Sequence, residues 1–269
     1  MHDKISLPQI CNIAKKAGSI ILEIYYGQKT IDYKEKYDKS PLTLADIKAN
    51  DYIVNELSKY DYPIISEESK VTSYNNRKDW EYFWLVDPLD GTKEFIHKRD
   101  EFTVNIALMY KARPILSVIY APALGELYYA LIDGGTYKSI DDDAPIRIYS
   151  CKEQRKDLKV VASRSHHSDS LYNYIDNIRN HYNSIECVSA GSSLKFCMVA
   201  DGRADVYPRF GPTMEWDIAA GDLIVMEAGG IVSDLIHNRQ PMQYNKLSLL
   251  NPHFVAMAKY LCEANHLDI

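Results

Sequence analysis

The chain has no run of apolar residues approaching the roughly 18 that a membrane span requires. Its first residues, MHDKISLPQI, lack the basic-then-apolar layout of an export signal, so a cytoplasmic location is expected, with peripheral membrane association left open. Cysteine is scarce. The five present (Cys11, Cys151, Cys187, Cys197, Cys262) are scattered and form no CxxC or Cys/His ligand spacing, which excludes a disulfide framework and a zinc site. They are expected to be reduced and mostly buried. No GxxxxGK[ST] motif and no GxGxxG motif occurs, so the phosphate cradles of P-loop and dinucleotide-binding proteins are missing. Positive charge is also in deficit: 31 basic against 37 acidic residues leave a net charge of −6, with no basic run interleaved with aromatics. That balance repels a nucleic-acid polymer and turns the search towards small molecules.

What the chain does have is enough apolar content, 46% of 269 residues, to bury a full core. Apolar residues at helical spacing from Ile10 to Ile24 predict an amphipathic first helix ending near Gly27. Thr43 and Asp46 have the spacing of a capping box opening a second. A short strand YPIIS leads into Glu67 and Glu68, the polar stretch from Ser69 to Asp79 reads as a surface loop, and YFWLV reads as a buried strand. Hairpin patterns follow as FTVNIALMY, ILSVIYAP and ELYYALI. Beyond the charged stretch after Asp141, strands and helices alternate. The expected architecture is therefore a layered α+β or α/β sandwich, with an N-terminal α+β domain over 1–150 and a C-terminal α/β domain over 151–269.

Chemistry concentrates in WLVDPLDGTKEF, residues 84–95. A buried strand ends at Asp87, Pro88 bends the chain, and Asp90-Gly91-Thr92 supplies acid, glycine and hydroxyl. Two carboxylates and the intervening Leu89 carbonyl could face one point, and an all-oxygen set of this kind suits Mg2+. The amides of Gly91 and Thr92, opening a helical turn, would be placed to receive a phosphate. An ordinary Asp-Gly turn, with Asp87 as a helix cap, is the competing reading of the same letters. Glu67 and Glu68 follow directly from a strand. Asp217 fronts WDIAAGDLIVMEAGG, where it could be no more than an N-cap, and where Ala219, Ala220 and Gly221 permit close backbone approach. In the second half SRSH (163–166), GSSLK (191–195) and YPRF (207–210) bring hydroxyls and cations to element ends, where an extra phosphate would need them. For Lys195 the alternative is a solvated helix face, for Arg209 a structural ion pair, and for His166 an ordinary satisfied histidine.

These motifs make the chain resemble the inositol monophosphatase superfamily from end to end. DPLDGT matches its DP[IL]DGT signature, WDIAAGDLIVMEAGG its second signature, and SEE with upstream TLAD completes the order. EFTVNIALMY, SVIYAP, SRSH, GSSLKFC and YPRFGPTMEWD are similar to the bacterial 3′(2′),5′-bisphosphate nucleotidase branch. The resemblance implies hydrolysis of the 3′-phosphate of adenosine 3′,5′-bisphosphate to AMP and phosphate. It assigns Glu67, Asp87 and the Leu89 carbonyl to one Mg2+; Asp87, Asp90 and Asp217 to a second; and Glu67 with water to a weaker third. Asp46 and Thr92 would activate the attacking water, with Glu67 at the same catalytic centre and Glu68 as a supporting carboxylate. Glu67, Leu89, Asp90, Gly91, Thr92, Ser193, Lys195, Arg209 and Asp217 would surround the substrate. Inhibition by lithium and a homodimer are further expectations of the same kind. Charge bookkeeping agrees, since four carboxylates and a phosphate dianion carry about −6 and three Mg2+ ions offset it. The competing functions are an inositol or sugar monophosphate phosphatase of the same superfamily, and a non-catalytic metal-binding regulator.

Overall fold

A computed structural model describes residues 5–262 apart from 28, 37–39, 71, 142, 154, 164–168 and 238. Helix α1 (Leu7–Gly27) buries Ile10, Ala14, Ala17, Ile21 and Ile24, the stripe its sequence spacing predicts. Strands β1 (Tyr33–Glu35) and β2 (Pro41–Thr43) form an antiparallel hairpin that feeds α2 (Leu44–Leu57). The capping box at the start of α2 is formed: Thr43 accepts from the amides of Ala45 and Asp46, and the Asp46 side chain accepts from the Thr43 amide.

Strands β3 (Ile64–Ser66), β4 (Tyr82–Asp90), β5 (Thr103–Tyr110), β6 (Arg113–Ala121), β7 (Glu126–Leu131), β8 (Gly135–Ile140) and β9 (Ile146–Ile148) make one seven-stranded sheet in chain order. Only the β3–β4 pair in it is parallel. Between β3 and β4 lies α3 (Tyr74–Arg77), and after β4 the short α4 (Thr92–Ile96). The second sheet contains β10 (Asp157–Ala162), β11 (Ser184–Ser189), β12 (Val206–Arg209), β13 (Gly230–Asp234) and β14 (Phe254–Ala258), in the order β11-β10-β12-β14-β13. Its helices are α5 (Asp169–Arg179), α6 (Leu194–Ala200), α7 (Glu215–Glu227) and α8 (Lys259–Cys262).

Side-chain alternation along β4 explains the layering. Trp84 and Val86 point to one face, where they pack with α1 and α2. Phe83 and Leu85 point to the other and pack with α6 and α7. The same helices meet Val232, Phe254 and Ala256 from the second sheet, so α6 and α7 lie between two sheets. The far face of the second sheet is covered by Leu171, Tyr174, Ile175 and Ile178 of α5 and Leu261 of α8. The result is five layers: helix, sheet, helix, sheet, helix. Because α7 is enclosed on both sides, it is apolar around its circumference from Ile218 to Val225, with Asp222 as the buried exception. Its Gly221 makes room for a ring rather than a backbone, since a Cβ there would lie 2.4 Å from Phe196 of α6.

Two expectations, and the competing reading of Asp217, are corrected. The stretch expected as a surface loop after Ser69 contains α3 and the buried Arg77, 2% exposed. Its guanidinium donates to Asn245 Oδ1 at 2.6 Å, the Lys246 carbonyl at 2.6 Å, and the carbonyls of Thr72 and Leu247. Asp217 is not an N-cap but the third residue of α7, its carboxylate accepting from the Met214 amide at 2.8 Å. Cysteine burial holds for Cys11 and Cys197, whereas Cys187 is exposed on the edge strand β11 and Cys151 is half-buried. Arg77→Met is expected to destabilise the fold by about 3 kcal/mol, because it strands buried acceptors from two segments. Urea unfolding measures this, and a loss below about 0.5 kcal/mol would show the guanidinium to be dispensable.

Candidate active site

The acidic centre starts from a β-bulge. In the β4–β5 ladder Asp87 faces Asn105 and Asp90 faces Thr103, so three steps on β4 oppose two on β5. Pro88, with no N–H to give the ladder, sits in the irregular stretch. The extra residue turns Asp90 to the side that Asp87 already faces, where simple alternation would oppose them. Gly91 then takes a left-handed conformation (φ +89°), with Ser192 and the Glu101 carbonyl 3.1 Å from where a Cβ would stand, and Thr92 opens α4.

Glu67, Asp87 and Asp217 can each bring a carboxylate oxygen within 4.8 Å of the others. Glu67 is held by the strand pairing, its amide donating to the Val86 carbonyl at 3.2 Å. Asp217 arrives from the second half on the first turn of α7. That turn is fixed by Glu215, fully buried, which accepts from the Asn245 amide at 2.6 Å and from the Lys246 ammonium at 2.6 Å. Burial first, and then Glu67, Asp90 and Asp217, raise Asp87 well above the ordinary carboxylate range. Asp217 is raised likewise by burial, then by Asp90 and Glu67. Mutually repelling buried acids are stabilised by a cation, and an oxygen-only set matches a hard divalent ion, so the residues present fit the metal that the sequence suggests.

Asp90 adjoins this trio and is tied to the second half. Its Oδ2 accepts from the hydroxyls of Ser192 and Ser193, each at 2.8 Å, and from Asn105 Nδ2 at 3.4 Å. Ser193, 2% exposed and on the lining of the cleft, has its hydroxyl engaged by Asp90. Lys195 is also not the solvated cation its helical position allowed. It is 5% exposed, and its ammonium donates to the carbonyls of Ala190 at 3.3 Å and Ser192 at 2.5 Å. Burial lowers its pKa to about 8.

On the other flank, Thr92 Oγ1 lies 3.2 Å from both Asp46 Oδ1 and the Leu89 carbonyl. The second Asp46 oxygen is taken by Thr43, so the carboxylate is held at one end and directed at Thr92 with the other. Burial raises the Asp46 pKa, with Thr43 and then Lys36 opposing the shift. Lys36 is a residue the sequence gave no sign of. It follows β1 in a polar run, yet its ammonium bonds Glu67 Oε1 at 2.7 Å and also bonds Glu68. A cleft lined by Asp90 and Asp217 also carries Lys93, Ser163, Lys195, Arg209 and Thr213. Arg209 makes one described side-chain hydrogen bond, from Nη2 to the Pro212 carbonyl at 3.2 Å, and its buried Nε has no partner among the described residues. His166 lies outside the described residues.

The model of the inositol monophosphatase family matches residues 6–267. The chain belongs to that family. Among its curated members, the 3′(2′),5′-bisphosphate nucleotidase CysQ of Salmonella typhimurium is 43% identical over 251 residues, covering 92% of this chain and 98% of that protein. The protein of the same name from Escherichia coli K12 is 42% identical over the same shares. A crystal structure of CysQ from Bacteroides thetaiotaomicron, described as a bacterial member of the family, superposes with a TM-score of 0.81 at 44% identity, covering 92% of this chain and 94% of that one. The layered sandwich is thus the family's fold. Among the described residues no helix is long and apolar enough to cross a membrane.

Proposed function

We propose that this protein is a divalent-cation-dependent phosphatase that hydrolyses the 3′-phosphate of adenosine 3′,5′-bisphosphate, giving AMP and phosphate. The observation that carries the reading is the convergence of Glu67, Asp87 and Asp217 from both halves of the chain, with Asp217 also lining a cleft that carries Lys93 and Arg209. Relatives named for this nucleotidase activity, similar over almost the whole chain, support the substrate. The residues that would hold Mg2+ are Glu67, Asp87 and the Leu89 carbonyl for one ion, Asp87, Asp90 and Asp217 for a second, and Glu67 for a weaker third. Bound there, the cations supply an acidified water and neutralise charge on the leaving oxygen. The two-lobed division near residue 150 belongs to the same proposal, the seven-stranded sheet lying before it and the five-stranded sheet after it.

The chain's own groups arrange the rest. Thr92 Oγ1 accepts a hydrogen bond from the attacking water while its own proton points to Asp46 Oδ1, 3.2 Å away. Asp46, made more basic by burial, draws the water's proton through that hydroxyl. The water oxygen attacks phosphorus in line, the bond from phosphorus to the 3′ oxygen breaks, the leaving 3′ oxygen takes a proton from a solvent water, and the proton held on Asp46 returns to solvent. The backbone amides of Gly91 and Thr92 orient the transferring phosphoryl group, so most of the catalysis is positioning and charge compensation.

Specificity separates this substrate from the inositol or sugar monophosphates of other family members. Arg209, with unspent donors at the cleft, is the cation suited to the 5′-phosphate. The kcat/KM for adenosine 3′,5′-bisphosphate is expected to exceed that for inositol 1-phosphate. Arg209→Ala should cost about 2 kcal/mol on the bisphosphate and far less on the monophosphate, because a remote contact assists only the substrate that makes it. Equal losses on the two, or a wild-type preference for inositol 1-phosphate, would favour the monophosphatase reading.

A further inference from the structure

Lys195 is a buried cation that makes no ion pair among the described residues. Instead, its ammonium reaches back over the loop before α6 and bonds the carbonyls of Ala190 and Ser192. That loop is held in an unfavourable shape. Ser192 has φ +54°, a left-handed conformation that a residue with a Cβ adopts only at a cost. Gly191 leaves no room for a side chain, since a Cβ would fall 2.7 Å from the Glu101 carbonyl, and its amide donates to Glu101 Oε2 at 2.9 Å.

The strained loop aims two adjacent hydroxyls at one atom. Ser192 and Ser193 both reach Asp90 Oδ2 at 2.8 Å, although neighbouring side chains on a regular segment would diverge. Each hydroxyl is backed from β5. Thr103 Oγ1 lies 2.6 Å from Ser192 Oγ and 2.9 Å from Asn105 Oδ1, and Asn105 Nδ2 donates to Ser193 Oγ at 2.9 Å. With Ser193 accepting from Asn105, its proton is left for the Asp90 carboxylate at 2.8 Å or the Asp217 carbonyl at 3.0 Å, and the nearer, charged Asp90 oxygen is the stronger acceptor. All described bonds of the Asp90 carboxylate fall on Oδ2, and none reaches Oδ1.

We infer that Lys195 is a positioning residue for the cation site: it stabilises the strained 190–193 loop, whose serines fix Asp90 with Oδ1 presented to a divalent ion. This rests on the metallophosphatase reading above and replaces a direct role for Lys195 on a substrate phosphate. Two of the three ammonium donors are spent on carbonyls of the loop and the charge lies 5.3 Å from the Tyr207 ring, so Lys195 acts first on the loop, and outer groups that orient a metal-binding carboxylate commonly set its affinity.

The test is Mn2+ binding without substrate, followed by the electron paramagnetic resonance of free Mn2+, on wild type, Lys195→Met and Ser193→Ala, with circular dichroism to show each is folded. Both variants are expected to bind Mn2+ about tenfold or more weakly. The double variant should be little worse than either single one, because both act through Asp90. Turnover of adenosine 3′,5′-bisphosphate and inositol 1-phosphate should fall by the same factor in Lys195→Met. Ser193→Ala tests the same linkage if Lys195→Met does not fold. Unchanged Mn2+ affinity in either folded variant would overturn the inference, as would a Lys195→Met loss confined to the bisphosphate. A wild type that bound no Mn2+ would instead bring down the metallophosphatase reading, and this inference with it.

Discussion

Asp87→Asn is expected to lower kcat/KM by at least about a thousandfold, the largest effect of any single carboxamide substitution in this chain. Asp87 is the buried member of the trio with Glu67 and Asp217, and it is assigned to two of the proposed cation positions. The exchange preserves shape and the hydrogen bond from the Leu89 amide to Oδ1, at 3.1 Å, while removing the charge that balances the ions. The apo fold should tolerate it well, because burial and four neighbouring acids, Glu67, Asp90, Asp217 and Asp46, already penalise an ionised Asp87. A folded Asp87→Asn variant with activity within threefold of wild type would mean that the carboxylate binds no catalytic cation.

Thr92→Ala is the second large effect, with an expected fall in kcat of about a hundred- to a thousandfold and little change in KM. The hydroxyl links Asp46 to the attacking water and contributes in the transition state more than to substrate binding. Asp46→Asn should produce a similar loss, and the Thr92→Ala/Asp46→Asn double variant should lose little more, since the two act as one unit. Rate measurements at saturating substrate decide the point. Additive losses would separate the residues and remove the proton path between them.

The site was legible where its chemistry is local. Asp87, Leu89, Asp90, Gly91 and Thr92 fall within six consecutive residues, and a strand ending in Asp-Pro before Asp-Gly-Thr already announces a bend with acids on it. The Thr43/Asp46 capping box was likewise readable, because both partners sit in one turn. What escaped depends on contacts between distant segments. Lys36 meets Glu67 across 31 residues, and its polar surroundings in sequence suggest only a solvated hairpin. Arg77 meets Asn245 across 168 residues, so a buried guanidinium was read as part of a surface loop. Lys195 and Ser193 were recognised as belonging to the site but assigned to the substrate. A motif places a side chain near a cleft without showing which donors the backbone has already used. The alternation of helix and sheet layers was expected from the family resemblance, and the apolar circumference of α7 is the local trace of a helix enclosed between two sheets.

The central claim is cation-dependent removal of the 3′-phosphate from a bisphosphorylated nucleotide. It is tested most directly by measuring phosphate release from adenosine 3′,5′-bisphosphate by protein stripped with EDTA, before and after restoring Mg2+. The account predicts no turnover in chelator, full recovery with Mg2+, AMP as the nucleoside product, and slower release from inositol 1-phosphate under the same conditions. Undiminished turnover in the stripped protein, or no phosphate release with Mg2+ restored, would contradict it.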